Sequence, residues 1–252
     1  MQARYFTLCE RAALALSLLA IGFLLIDPFM LERARTLSPG ARAFFHAVTD
    51  LGRSHWMLVP IAAVIAFAIV MRRRHLGFRN AAGYGLIVSM AGFAFVSIAG
   101  AGLVASLLKN ILGRARPKLF DTVGHFEFHF FAFDPDYVSI PSGHATAIFA
   151  FATVVAIFWP RGRLLLYTLA AWIALSRVLI GVHYFTDAVL GAILGHRLSL
   201  SGARPVRGAA LAVRIRAKRR LSSARGEDPG LARLAGGDAT VARAHGAGGA
   251  FA

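Results

Sequence analysis

Long apolar runs, separated by polar connections rich in Arg and aromatic residues, set the pattern of this chain. The runs cover residues 12–30, 55–71, 81–108, 145–159 and 164–182, and a sixth begins at Tyr184. A helix needs about 20 apolar residues to cross the hydrocarbon of a bilayer. The pattern therefore predicts an all-α, polytopic bundle of six transmembrane helices. The sixth run is short: it stays apolar only to Leu194 or Gly195 before His196 and Arg197, about half of that length. Pro60 lies inside the second run, which a span tolerates when neighbouring groups take up the freed carbonyl. Gly83, Gly85, Gly92, Gly100 and Gly102 in the third run suit close helix packing. The first run has a basic start like a signal peptide, but no small-residue cleavage site follows, so it reads as a retained span. Ser38-Pro39-Gly40 is a turn signal. Beyond it Ala43, Phe44, Phe45, Ala47 and Val48 recur at helical spacing, so a short amphipathic helix is expected there.

Composition agrees. The 252 residues are 57% hydrophobic with a mean hydropathy of +0.62, which points to an integral membrane protein. The net charge of +16 raises nucleic-acid binding as an alternative. The cations, however, sit between apolar runs and in the tail, so no nucleic-acid partner is expected. Arg72, Arg73, Arg74 and Arg79 crowd one connection, and Arg161 and Arg163 another. Short Arg-rich loops face the cytoplasm. The connections at 31–54, 109–144 and 176–187 then lie outside, at an inner or plasma membrane. Residues 197–252 carry 11 Lys and Arg against three acidic residues and few large apolar ones. They are expected to form a disordered basic tail or to lie on anionic lipid, separate from a transmembrane domain at 1–196. Cys9 is the sole cysteine, so no intrachain disulfide exists, and oligomeric state is unreadable.

The candidate chemistry lies in the outer connections. Residues 176–187 read SRVLIGVHYFTD and put Arg177, His183 and Asp187 beside a span, where charge is costly and usually functional. If the chain is helical from Tyr184, His183 and Asp187 share a face. The carboxylate can then fix the imidazole tautomer and leave the other nitrogen free to attack. Arg177 is a planar donor suited to phosphate. The bland alternative is a pair of cations snorkelling at a helix end. Lys109 and Arg116 end the third run, where interface anchoring is the plainer reading. Pro141-Ser142-Gly143-His144 opens the fourth. A helix start there frees backbone N–H groups that attract an anion, with the Ser142 hydroxyl as a further donor and Gly143 allowing close approach. His144 is placed to hand a proton to a leaving oxygen; the plain reading is a capped helix with a satisfied histidine. Together these groups suit phosphoryl transfer, in which cations neutralise the non-bridging oxygens. No compact carboxylate cluster suggests Mg²⁺, and His125 and His129 lack a further ligand at metal spacing. Neither metal nor cofactor is expected.

Three stretches carry a family resemblance: K-x6-R-P from Lys109, P-S-G-H from Pro141, and S-R-x5-H-x3-D from Ser176. In this order and at span ends they resemble the type-2 phosphatidic-acid phosphatase superfamily, and Val48-Thr49-Asp50-Leu51-Gly52 is similar to a stretch often found before its second span. The resemblance covers roughly residues 48–195. It implies a six-span core with its site at the outer face. Lys109, Arg116 and Arg177 would bind phosphate, with Ser142 and Gly143 completing the cradle. His183, oriented by Asp187, would form a phosphohistidine, and His144 would protonate the leaving group. The implied activity is metal-independent hydrolysis of a phosphate or diphosphate monoester of a lipid. Soluble relatives with these motifs bind vanadate and oxidise halides, which the spans here disfavour. The short sixth run leaves a competing expectation, an inactive or lipid-phosphate-binding member of the family.

Overall fold

The computed structural model describes residues 7–74 and 78–203. The chain divides into two units, Met1–Arg204 and Pro205–Ala252. The second lies outside the described residues, and with it most of the expected disordered tail.

Every regular element among the described residues is helical. The first run begins as α1 (Leu8–Ile21), whose first turn is capped by Thr7 and Glu10 reciprocally, as orphan N–H groups at a helix start require. It continues through a π turn at Gly22–Ile26 into α2 (Asp27–Arg35). Ser38 caps the amphipathic helix α3 (Pro39–Asp50), where the spacing predicts one. Then come α4 (His55–Arg73) and α5 (Phe78–Leu112). The long connection after α5 holds two 3₁₀ turns, Pro117–Leu119 and Pro135–Tyr137, and the short α6 (Phe120–Val123). α7 (Gly143–Phe158), α8 (Arg163–Leu179) and α9 (Phe185–Ser201) complete the bundle.

Among the described residues four stretches are long and apolar enough to cross a membrane: Cys9–Arg35, Pro39–Arg73, Ala81–Leu112 and Pro160–Leu179. α7, with 16 residues, and α9, with 17, are shorter. α7 is apolar on nearly all sides because it packs against α5, α8 and α9, as expected of a helix surrounded by protein. α9 is longer than the apolar run predicts. His196 does not end it, because Thr153 and the Tyr167 hydroxyl lie 3.0 and 3.1 Å from His196 Nδ1. With that side chain satisfied, the helix continues past residue 196 to Ser201, through part of the segment assigned to the tail.

α7 and α9 approach closely along a line of small residues. A side chain at Gly191 or Gly195 would run into the backbone of Ser142 or Thr146 on α7. This contact sets the first turns of the two helices side by side, and the Ser142 N–H donates to the Asp187 carbonyl at 2.9 Å.

Candidate active site

The three polar stretches meet at one end of the bundle. After α5, Gly113 turns the chain at φ 58° with its Cα packed against the His129 carbonyl, where a Cβ has no room. That conformation belongs to glycine. Residues 114–116 then run extended between two strips of the connection that follows α5. Ala115 N–H donates to Glu127 O at 2.9 Å, Arg116 N–H to Asp136 O at 2.8 Å, and Ser139 N–H to Arg114 O at 3.1 Å. The loop thus fixes where Arg114 and Arg116 leave the backbone.

Ser142 is the N-cap of α7, with Gly143 and His144 in the first turn. The first intrahelical bond is made by Thr146 N–H to Ser142 O, so the N–H groups of residues 143–145 lie ahead of the ladder. A Cβ on Gly143 would lie 3.3 Å from Lys109 Nζ, which puts the Lys109 ammonium over that helix start. Lys109 is also close enough to Arg116 and Arg177 for their charges to bear on it. His144 is similarly exposed to the charges of Arg177, His183, Lys109 and Arg53. Gly52 backs His144: a Cβ there would lie 3.0 Å from the imidazole Cδ2. Arg177 Nη1 donates to the buried Thr49 hydroxyl at 3.1 Å. Arg116 Nε, Arg177 Nε and Ser142 Oγ are buried and have no hydrogen-bond partner. Such groups carry a desolvation penalty unless a ligand meets them.

His183 sits in the turn before α9, and Tyr184 is the N-cap. The shared helical face expected for His183 and Asp187 is therefore not what joins them. Asp187, in the first turn, reaches back to accept from Tyr184 N–H at 2.9 Å, and this return places Oδ2 3.6 Å from His183 Nδ1. That separation exceeds a hydrogen bond but keeps the carboxylate charge on the Nδ1 side, leaving Nε2 as the free nitrogen. Burial pushes the His183 imidazole down to about 4; Asp187 opposes this, and Lys109 and Arg177 reinforce it.

Sequence reasoning missed the rest of the surroundings of Asp187. Ser139 donates its hydroxyl to Oδ2 at 2.5 Å. Arg114, wholly buried, donates to Oδ1 at 2.6 Å and to Asp27 Oδ2 at 2.8 Å. Asp27 had a signal, an acid inside an apolar run. Its partner lies 87 residues away, which no local pattern reveals. Ser139 gave none, and Thr49 stood out only as part of the Val48–Gly52 stretch, with no sign of its partner Arg177. His125 and His129 have separate attachments: the His125 carbonyl accepts from Arg114, and His129 pairs with Glu127 at 3.0 Å. Among the described residues no group of three or more His, Cys, Asp or Glu side chains is placed to hold a metal ion.

Two cavities adjoin the cradle. One of about 530 Å³ lies between α4, α5 and the start of α7, against His144, Arg53, Leu58, Ile98 and Gly102. Another of about 300 Å³ borders Arg116, Lys118, Gly181 and Val182.

The chain is similar to several known proteins. The family model of the PAP2 superfamily matches residues 90–204. A lipid A 1-phosphatase from Rhizobium etli is 34% identical over 154 residues, 61% of this chain and 66% of that protein. The match thus spans just under two thirds of that relative. A decaprenylphosphoryl-5-phosphoribose phosphatase from Mycobacterium tuberculosis is 32% identical over 159 residues, 62% of this chain and 76% of that one. Crystal structures of Aquifex aeolicus LpxE and of a PAP2-type phosphatidylglycerolphosphate phosphatase from Bacillus subtilis share the fold. Each has a TM-score of 0.51 at 20% identity, covering 72% and 81% of this chain respectively and 96% of each structure. The matched segment takes in the three polar stretches that the bundle gathers, and on that ground, with the Mycobacterium relative matched over three quarters of its length, the chain belongs to the PAP2 superfamily.

Proposed function

We propose that this multi-pass membrane protein is a metal-independent lipid phosphatase. It hydrolyses a phosphate or diphosphate monoester of a lipid at the outer face through a phosphohistidine. One observation carries the reading: Lys109, Arg116, Arg177 and the start of α7 converge, with unpartnered donors, beside a buried imidazole whose rear nitrogen faces a carboxylate. The three cations and the α7 N–H groups take the non-bridging oxygens. His183 Nε2 attacks the terminal phosphorus, the N–P bond forms, and the P–O bond to the leaving lipid alcohol or lipid phosphate breaks. Once the anionic phosphate is bound among Lys109, Arg53 and Arg177, His144 takes up the proton that it passes to the leaving oxygen. Water then cleaves the N–P bond and inorganic phosphate departs.

Membrane placement follows the same reading. α7 and α9 supply the fourth and sixth crossings of a domain that is expected at 1–196 and that α9 carries on to Ser201, with the residues that follow as a basic tail. The 530 Å³ cavity beside His144 offers room for the part of the lipid next to the phosphate. The packing of α9 on α7 supports an active member over an inactive one, because it anchors Asp187 despite the short apolar run. The names of the relatives favour an envelope glycolipid or polyprenyl phosphate within this class.

The test is phosphate release by detergent-purified protein from a panel of lipid phosphates. Turnover is expected on at least one, unchanged by EDTA and removed by His183→Ala. Loss of activity in chelator, or full activity in His183→Ala, overturns the mechanism.

A further inference from the structure

We infer that Asp27 and Arg114 are positioning residues for the His183–Asp187 pair: the first membrane helix grips Arg114, and Arg114 grips Asp187. The inference rests on the function proposed above.

The two arginines of the Arg114-Ala115-Arg116 segment have opposite tasks. Arg116 keeps a buried Nε without a partner, whereas Arg114 uses its whole fork within the protein. Nη1 donates to Asp187 Oδ1 at 2.6 Å and to Thr186 Oγ1 at 2.9 Å. Nη2 donates to Asp27 Oδ2 at 2.8 Å and to His125 O at 3.1 Å, and Nε donates to the same carbonyl at 3.2 Å. The rings of Phe23 and Tyr184 flank the guanidinium, with centroids 4.4 and 4.1 Å away. Nothing is left over for a substrate phosphate. The planar fork, the two flanking rings and the two carboxylates are a geometry that only a guanidinium fills.

Asp27 closes the network from the other side. Its Oδ1 accepts from Thr186 N–H at 2.9 Å and its Oδ2 from the Thr186 hydroxyl at 2.6 Å. It therefore holds both Arg114 and the first turn of α9, the turn that carries Asp187. The helix is irregular where this happens. A π turn spans Gly22–Ile26 directly before Asp27, and a Cβ on the buried Gly22 would lie 2.8 Å from Thr186 Cγ2. π turns inside α-helices often mark functional sites. Asp187 is left with no freedom to rotate: Arg114 holds Oδ1, while Ser139 and Tyr184 N–H hold Oδ2. Its distance from His183 Nδ1 is thus set by groups that never touch the phosphate.

Burying three charged groups costs several kcal/mol before their attraction is counted, and apolar side chains often pack as stably. Stability alone therefore accounts poorly for this arrangement, whereas fixing a carboxylate behind a nucleophile accounts for it well.

The experiment compares wild type, Asp27→Asn, Arg114→Lys and the double variant in detergent. It measures kcat and KM on the best lipid phosphate, orthovanadate binding and thermal unfolding. Turnover is expressed per vanadate-binding site, so that unfolded protein does not count. The expected result is a fall in kcat of about 10- to 100-fold in each single variant, the scale at which groups supporting a reactive histidine act. KM and vanadate affinity should stay within about 3-fold, since the cradle is untouched. The double variant should be no slower than the worse single one, as for residues acting as one unit. Full kcat per site in Arg114→Lys, or a parallel loss of vanadate affinity and kcat, overturns the inference alone. A wild type that binds vanadate but releases no phosphate from any lipid overturns the proposed function, and this inference with it.

Discussion

At the scale of single residues the decisive property is that His183 is only 3% exposed. Burial pushes its imidazole down to about 4, against about 6.5 for an unperturbed histidine. In the proposed mechanism the neutral ring is the nucleophile, so the reactive form is present above about pH 4 and is lost as pH falls through that value. The kcat/KM of the wild-type protein, which reports the free enzyme, should hold from pH 7 to pH 5 and fall only near pH 4. An acid limb centred near 6.5 would show that His183 is hydrated or is not the attacking group. The same depression makes folding less favourable as pH drops from about 6.5 towards 4, because the unfolded chain takes up a proton that the buried ring refuses. Thr49 offers a second residue-scale test. It is buried and accepts the Arg177 Nη1 donor. Thr49→Val keeps the shape and removes the acceptor, a change worth about 0.5–1.5 kcal/mol. KM should rise roughly 2- to 13-fold with kcat nearly constant; a fall in kcat at constant KM would remove Thr49 from phosphate binding. The sequence marks Arg177 by its motif and Thr49 only as one of five residues in the Val48–Gly52 stretch; that the two are partners shows only once the fold brings positions 49 and 177 together.

At the scale of elements the contact of α7 with α9 matters most, since Ser142 starts one helix and Asp187 lies in the first turn of the other. Gly191 and Gly195 lie on one face of α9, and the α7 backbone passes directly over them. Gly195→Leu should force the helices apart at an overpacking cost of about 1–3 kcal/mol. The melting temperature in detergent should fall, and kcat with it, because the Ser142 N–H bond to the Asp187 carbonyl transmits the displacement. Gly100→Leu is the control: no atom lies within 4 Å of a Cβ there, and both quantities should stay at wild-type values. A Gly195→Leu protein that melts and turns over like wild type would mean that α9 can shift without disturbing the site. The long runs were legible in the sequence because lipid-facing helices must be continuously apolar. α7 was legible as a run but is shorter than a full crossing, since protein surrounds much of it. The end of α9 was not legible. His196 reads as a stop until Thr153 and Tyr167, on two other helices, are found to satisfy it.

At the scale of the whole molecule, all the candidate groups gather at one end of the bundle, so the side of the membrane they face decides the substrate pool. The three motif stretches were legible because polar residues at span ends stand out against apolar runs. The Asp27–Arg114–Asp187 network was not, since its contacts join residues 73 and 87 positions apart. The proposed orientation rests on charge: by the positive-inside rule Arg72–Arg74 and Arg161 would mark the opposite end as cytoplasmic. The aromatic loop on the site's own side exposes Phe130, Phe131 and Phe133, as suits a membrane–water interface. Because Cys9 is the chain's sole cysteine, Cys9→Ser provides a background for topology mapping. In intact cells a membrane-impermeant maleimide should label Phe130→Cys, while Arg161→Cys should label only after lysis. Phosphate release from lipid in the outer leaflet of sealed vesicles of known orientation should follow the same sidedness. Labelling of Arg161→Cys alone in intact cells would invert the molecule, place Lys109, Arg116 and His183 against the cytoplasmic leaflet, and replace an envelope lipid with a cytoplasmic one as the substrate to seek.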